Sequence, residues 1–586
     1  MRVAALGILI FAISAPGMAS AKHTQSTTTT PIQHLVVIFD ENVSFDHYFG
    51  TYPYAANLSG EPAFQADPDT PSVNGLANAA GQNGATGPLL TENPNESNPI
   101  RLDPSDAMTC DQDHDYTAEQ QAADHGAEDQ YVKYTGRSMT LAECLASENS
   151  GLTHQSLIPS GADSNDAVMD YYDGNTVTAL WNYAQHFAMS DNAYTTTYGP
   201  STPGALSVTS AQTFGSICGP TSATINDQTC TAPPGYNSSN VAQSTITTSA
   251  SGATSVANQP APGPGTTYSD ADPVFDICSY LPKTDGGDAK TPNQTLEMGG
   301  DNIGQELTTA GITWGWFEGG FDDGYVPGRG TAPTTAQICA ESHQNVGGAT
   351  QIDYNPHHEP FQYYASTANP MHLPPTSVSS IGHDDQANHQ YDLADFWAAA
   401  DAGNLPAVSY LKEPNYEDGH AGYSDPLDEQ TFLVNTINRL EAMPSWSSTA
   451  VVVTWDDSDG WYDHVLAPVI TGSQTSLDAL TAPNSCGPAS IVPQDANGNP
   501  EQGKCGVGTR IPFLVISPYA RQNYVDNALI DQSSVVRFIE DNWSLSALGN
   551  GAADTAAGSL NSMFDWQQPR NKPLFLNGNG EPVHGQ

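Results

Sequence analysis

The sequence predicts an α/β fold, with a mostly parallel central sheet, helices packed on it and long loops inserted between elements. Three observations carry this. Short runs of branched apolar residues alternate with segments of helical periodicity, as βα units require. Each apolar run passes at once into acidic or polar residues, the way buried parallel strands end at a site. The chain has 586 residues, enough for a sizeable core, and its 52 Gly and 43 Pro supply the loops.

The elements follow in order. Arg2, an apolar run over 3–15 and the small-x-small triplet Ala19-Ser20-Ala21 form a secretory signal with cleavage after Ala21. That run is too short to span a bilayer, so the mature chain is expected to be exported, to the periplasm or beyond. Residues 22–31 are Thr-rich and read as a mobile leader. Residues 32–39 (IQHLVVIF) are the first buried strand, and one domain is expected from there to residue 586. Residues 58–105 are rich in Asn, Gly and Pro and read as irregular. Residues 170–187 have helical character. Residues 220–267, rich in Ser, Thr, Pro and Gly, read as a loop insertion. Residues 428–443 lack Gly and Pro and place Phe432, Leu433, Ile437 and Leu440 on one helix face. Residues 450–454 and 511–517 are further buried strands. Residues 533–543 form a helix behind an Asp531 cap.

Eight cysteines in an exported chain favour disulfides, and no CxxC pair offers a thiolate metal site. The simplest pairing joins sequence neighbours: Cys110–Cys144, Cys218–Cys230, Cys278–Cys339 and Cys486–Cys505. Lys and Arg total 16 against 65 Asp and Glu, a net charge of −49. That balance excludes a basic nucleic-acid surface and polybasic attachment to lipid. It also favours work in acid, where carboxylate repulsion fades, with an optimum at roughly pH 4–6 set by carboxylates below and an imidazolium acid above.

Four clusters carry chemistry. Asp40-Glu41-Asn42 ends the first strand and opens EN-x-SFDHYFG, although alone it reads equally as a capped turn. Ser201-Thr202 sits between Gly199-Pro200 and Pro203-Gly204, where a helix starting near Pro203 would turn its free N–H groups toward an anion. His357-His358 and His420 lie in Gly/Pro-bounded loops suited to phosphate contact or proton transfer, and His114 lies between carboxylates that raise its pKa. Asp456-Asp457 follows a buried strand, and adjacent buried carboxylates call for a cation.

Together these segments resemble the bacterial phosphoesterase family that contains secreted acid phosphatases and non-specific phospholipases C, within the alkaline-phosphatase-like superfamily. The resemblance runs from residue 32 to about residue 543. Residues 356–364 (PHHEPFQYY) and 456–464 (DDSDGWYDH) look like the acid phosphatase branch. The phospholipase branch usually has Asp-Glu followed by Gly-Gly at the second motif and Pro-Asn-Arg where this chain has Pro203-Gly204-Ala205. The resemblance implies a three-layer sandwich. It implies Glu41, Asn42, Asp456 and Asp457 as metal ligands and Ser201 as a nucleophile that also touches the metal. His114, His357, His358 and His420 would line the phosphate site, with Asp463 and His464 in support. All-oxygen ligation suits Ca²⁺, Mg²⁺ or Mn²⁺. The expected reaction is hydrolysis of small phosphomonoesters through a phosphoserine, with His420 or His358 protonating the leaving group. Phospholipase C activity is the alternative, and a non-catalytic surface-binding protein a remote one. Neither nucleic acid nor a stable membrane contact is an expected partner.

Overall fold

The computed structural model describes residues 28–137, 165–218, 224–225, 228–229, 265–320 and 339–583, less 82–83, 269, 281–294, 346–347, 349, 474, 492–504, 550, 568 and 570–571. Its centre is an eight-stranded sheet. In chain order the strands are β1 (His34–Asp40), β2 (Ala188–Ser190), β3 (Trp314–Glu318), β4 (Gln390–Asp392), β5 (Val408–Lys412), β6 (Thr449–Trp455), β7 (Phe513–Ile516) and β8 (Tyr524–Asp526). In space they lie β4-β3-β5-β1-β6-β7-β2-β8. Every neighbouring pair is parallel except β6–β7 and β7–β2, so β7 alone runs in reverse.

β1 and β6 form the middle, paired from His34↔Thr449 to Asp40↔Trp455. Apart from the half-buried His34 at the start of β1, both are buried along their length and mostly apolar on both faces, as the central strands of a covered parallel sheet must be. The helices that pack on the sheet include α1 (Phe45–Phe49), α2 (Thr178–His186), α3 (Ser201–Ser210), α4 (Ile303–Ala310), α5 (Leu393–Asp401), α6 (Pro426–Glu441) and α7 (Ser533–Trp543). The predicted α/β class with a mostly parallel sheet is what the chain adopts.

Several boundaries move, each for a local reason. The helix expected over 170–187 begins only at Thr178. Before it, Tyr171-Tyr172 pairs with Arg101-Leu102, and Asn175 spends its side chain on Asn57 and Pro62. α6 starts two residues early because Asp425 accepts from the N–H groups of Leu427 and Asp428 and Pro426 fits the first turn. α3 starts at Ser201, not at Pro203. α7 keeps its predicted span, but its N-cap is Gln532 and not the expected Asp531, whose Oδ1 accepts from Ser533 N at 2.7 Å one residue earlier. The Thr-rich leader is pinned at its end: Thr29 and Thr30 donate from their hydroxyls to Asp541 O and Asn542 Oδ1. Residues 58–105 are irregular but for short pieces such as Ala79–Gly81 and Pro88–Thr91. Cys278–Cys339 and Cys486–Cys505 are bonded. Cys144, the Cys218 side chain, Cys230, most of the 220–267 insertion and the leader residues 1–27 lie outside the described residues.

Candidate active site and metal centre

The carboxyl ends of β1 and β6 place the first ligand set. Parallel pairing runs to the last residue of each, and Asp456 N still donates to Asp40 O at 3.1 Å beyond it. Glu41-Asn42 and Asp456-Asp457 therefore leave the sheet side by side. Asp456 Oδ1 then accepts from Asn42 N at 2.8 Å and Asp457 N at 2.7 Å, which fixes both turns.

α3 brings Ser201 to the same point. Its start lies so close to β6 that a Cβ on Gly204 would stand 2.0 Å from Asp456 O, which only glycine allows. Ser201 Oγ lies 3.1 Å from Glu41 Oε2, 3.2 Å from Asp457 Oδ2 and 3.4 Å from Asn42 Oδ1. One hydroxyl proton cannot serve three acceptors. Burial, then the charge of Asp456, pushes Glu41 and Asp457 well above the ordinary carboxylate range.

The Asn42 amide decides what belongs among these oxygens. One of its terminal atoms lies 2.7 Å from Glu41 Oε2, 3.1 Å from both Asp456 oxygens and 3.3 Å from Asp457 Oδ2. The other lies 2.9 Å from His420 Nε2. His420 Nδ1 is 2.5 Å from Ala421 O, an acceptor, so Nδ1 carries the hydrogen. Burial lowers the His420 pKa to about 4, so the ring is neutral and Nε2 can only accept. The amide nitrogen therefore faces His420, and the amide oxygen faces the carboxylates. An oxygen held among carboxylate oxygens at these distances fits a divalent cation ligated by Glu41, Asn42, Asp456, Asp457 and Ser201.

A cavity of about 500 Å³ opens above Ser201. His114, His357, His358 and His420 all line it, with Asn355, Arg137, Asp113, Asp115 and Asp270. His114 Nδ1 lies 3.1 Å from Asp459 Oδ1 and 3.4 Å from Asp111 Oδ1. Burial opposes its charge, but Asp457, Asp111 and Asp459 outweigh it and hold the His114 pKa well above the usual imidazole value. His358 Nδ1 sits 3.2 Å from Glu41 Oε1, and its Nε2 lies 3.2 Å from Asn355 Nδ2. His357 stands between Asp270 and Asp272 at 3.9 and 3.8 Å.

The phosphoesterase family model matches residues 32–546. The chain belongs to the phosphoesterase family. Its similar proteins include the non-hemolytic phospholipase C of Pseudomonas aeruginosa, 29% identical over 183 residues, covering 30% of this chain and 25% of that protein. The non-hemolytic phospholipase C of Burkholderia pseudomallei is 31% identical over 176 residues, covering 28% and 24%. Phospholipase C A of Mycobacterium tuberculosis is 28% identical over 179 residues, covering 30% and 33%. The aligned stretch thus spans a third or less of each of these relatives.

In this phosphoesterase the structure brings together Glu41, Asn42, Ser201, Asp456, Asp457 and the four expected histidines. It adds others that sequence reading passed over. Lys412, at the end of β5, puts Nζ 3.1 Å from Glu41 Oε1 and 3.7 Å from Asp418 Oδ2. Burial opposes its charge, yet Glu41, Asp418, Glu413 and Glu318 raise its pKa. Glu119 accepts from Gly199 N and Ser458 Oγ, tying the Ser201 turn to the Asp457 loop. Asp463 and His464 are drawn into a separate cluster with Asp46 and Arg510. A lysine closing an apolar run, in a chain with 16 Lys and Arg, was the available signal for Lys412.

Proposed function

We propose that this phosphoesterase is an exported hydrolase that cleaves phosphate esters through a phosphoserine at Ser201, with residues 32–586 acting as one catalytic domain. The observation that supports it most is a single buried hydroxyl, 3.1 to 3.4 Å from the side-chain oxygens of Glu41, Asn42 and Asp457, on the floor of a cavity walled by four histidines.

A divalent Ca²⁺, Mg²⁺ or Mn²⁺ ion held by Glu41, Asn42, Asp456, Asp457 and Ser201 would favour the serine alkoxide and offset phosphoryl charge. The residues do the rest. Ser201 Oγ forms a bond to phosphorus as the bond to the leaving oxygen breaks. Asp111 and Asp459 hold the His114 Nδ1 proton and keep the ring cationic, so the Nε2 proton is the one His114 donates to the leaving oxygen. It then takes a proton from the water whose oxygen displaces Ser201. The geometry favours His114 over the two histidines preferred from sequence. His420 Nε2 is taken by Asn42, and His358 sits between Glu41 and Asn355. His357 is left to contact phosphoryl oxygens.

Small phosphomonoesters are the first substrate class. The cavity walls are mostly polar, and Asp113, Asp115 and Asp270 at its lining suit a small charged ester better than acyl chains. Phospholipase C action is a second reading, supported by the names of the relatives in Pseudomonas, Burkholderia and Mycobacterium. Side-by-side assays on p-nitrophenyl phosphate and phosphatidylcholine vesicles separate them. Faster p-nitrophenol release is expected. Faster diacylglycerol release would move the assignment to phospholipase C, and turnover of neither would remove both. Export with cleavage after Ala21 predicts a secreted form whose first residue is Lys22.

A further inference from the structure

Glu41 uses its two oxygens differently. Oε2 faces Ser201, while Oε1 turns away toward a second group of ligand-type atoms. One ligand atom from each of Glu41, His358 and Asp418 lies within 4.8 Å of the others, and all three residues are buried. Two carboxylates and an imidazole converging in this way are a divalent-metal donor set. Yet the space has an owner. Lys412 Nζ lies 3.1 Å from Glu41 Oε1 and 3.7 Å from Asp418 Oδ2, and His358 Nδ1 is 3.2 Å from the same Glu41 oxygen. The 3.1 Å contact is an ion pair between ammonium and carboxylate, longer than the roughly 2.0–2.6 Å at which oxygen ligands close on a metal.

We propose that the Lys412 ammonium occupies the place of a second metal ion, so that Glu41 bridges one exchangeable cation at Oε2 and one built-in cation at Oε1. The proposal rests on the reading that the Ser201 side of Glu41 holds a divalent ion. The backbone makes the arrangement rigid. β5 pairs with β1 in parallel register through Leu411↔Ile38, so Lys412 and the residues after β1 leave the sheet together. The lysine side chain is fully buried and cannot swing out to water. A fixed single charge beside Oε1 also holds the Glu41 carboxylate in one orientation.

The test is metal stoichiometry. Purified wild-type protein, Lys412→Ala and Lys412→Met are equilibrated with excess Mn²⁺ and analysed for bound manganese, with circular dichroism as the check on folding. Wild type should bind one ion per chain. Lys412→Ala, which empties the space, should bind two, a doubling accompanied by the electron-spin-resonance signature of exchange-coupled manganese. Lys412→Met fills the space without charge and should bind no more than one. A folded Lys412→Ala that binds one ion or none overturns the proposal, as does a wild type that binds two. If Lys412→Ala folds only with Mn²⁺ present and then holds two ions, a metal has replaced the ammonium and the proposal stands. If neither variant folds with Mn²⁺ supplied, no external cation can take the ammonium's place and the proposal fails. A wild type that binds no metal would instead strike the metal reading under the proposed function.

Discussion

The loops after β1 and β6 build two buried carboxylate clusters, and they differ in how charge is balanced. In the first, Glu41, Asp456, Asp457 and the neighbouring Asp418 are all buried, Lys412 pairs with Glu41 and Asp418, and Asp457 is offset by the imidazole of His114. In the second, Asp46 and Asp463 meet a guanidinium and an imidazole. Arg510 Nε lies 2.9 Å from Asp463 Oδ1, Arg510 Nη2 lies 3.2 Å from Asp46 Oδ1, and His464 Nδ1 lies 2.5 Å from Asp46 Oδ2. Titration follows the balance at Asp46, although burial still raises its neighbour Asp463. Burial opposes the Asp46 charge, but His464 and Arg510 outweigh it and hold its pKa below the ordinary value. Glu41 and Asp457 are pushed the other way. A cluster that carries its own counter-ions is a clamp. One with more carboxylates than cations has room for a ligand, and only that one faces the cavity.

The comparison can be broken by experiment. The largest effect is expected from Ser201→Ala, which should lower turnover by about 10⁴-fold or more while leaving the melting temperature unchanged. If Thr202→Ala is the inactive variant and Ser201→Ala is not, the nucleophile is misassigned by one position. Next come the clusters themselves. Glu41→Ala or Asp456→Ala should release bound metal and reduce kcat by about 10²–10⁴-fold, the equivalent of several kcal/mol. Arg510→Met should instead cost about 3–5 kcal/mol of folding stability, since it strands buried carboxylates. Metal content per folded molecule should hold. Metal loss in Arg510→Met, or metal retained by the Glu41 and Asp456 variants, would erase the distinction.

The smallest effects concern pH. His114 is raised above the usual imidazole value, so its acid form persists past pH 6.5 and the alkaline limb of kcat/KM should lie above that point. This extends the range expected from composition upward. The acid limb should remain, because protonating a carboxylate ligand removes charge from the metal site. His114→Gln should abolish the alkaline limb, and an unchanged profile would reassign the acid. His464 is also raised, with Asp46 as the cause that overcomes burial. Its contribution to stability is therefore full below pH 6.5 and lost as pH rises through the folded value. His464→Gln should destabilise by about 1 kcal/mol in acid and by less in alkali, measured by urea unfolding at both.

Much of this was legible in the sequence. A buried run that stops in Glu41-Asn42, and another that stops in Asp456-Asp457, announce strand ends with ligands because water-free strands and charged loops differ so sharply in composition. Direction was not legible. Residues 511–517 read as one more apolar strand, and nothing in such a run records that β7 enters the sheet backwards. That reversal matters, since it brings the beginning of the strand, with Arg510 before it, to the site end. The state of His420 was equally hidden. Its neutral ring depends on burial, and its Nε2 meets an asparagine 378 positions away. Lys412 was missed because its strand is short, and a lone lysine beside Glu413-Pro414 looks like surface.

The contact between Gly204 and the Asp456 carbonyl has a consequence for redesign. The helix of the proposed nucleophile and the loop of the proposed ligands touch backbone to backbone, so neither can be adjusted without the other. Efforts to change which esters this chain accepts are therefore better spent on Asp113, Asp115 and Asp270 around the chamber, where side chains can be exchanged without moving the machinery beneath.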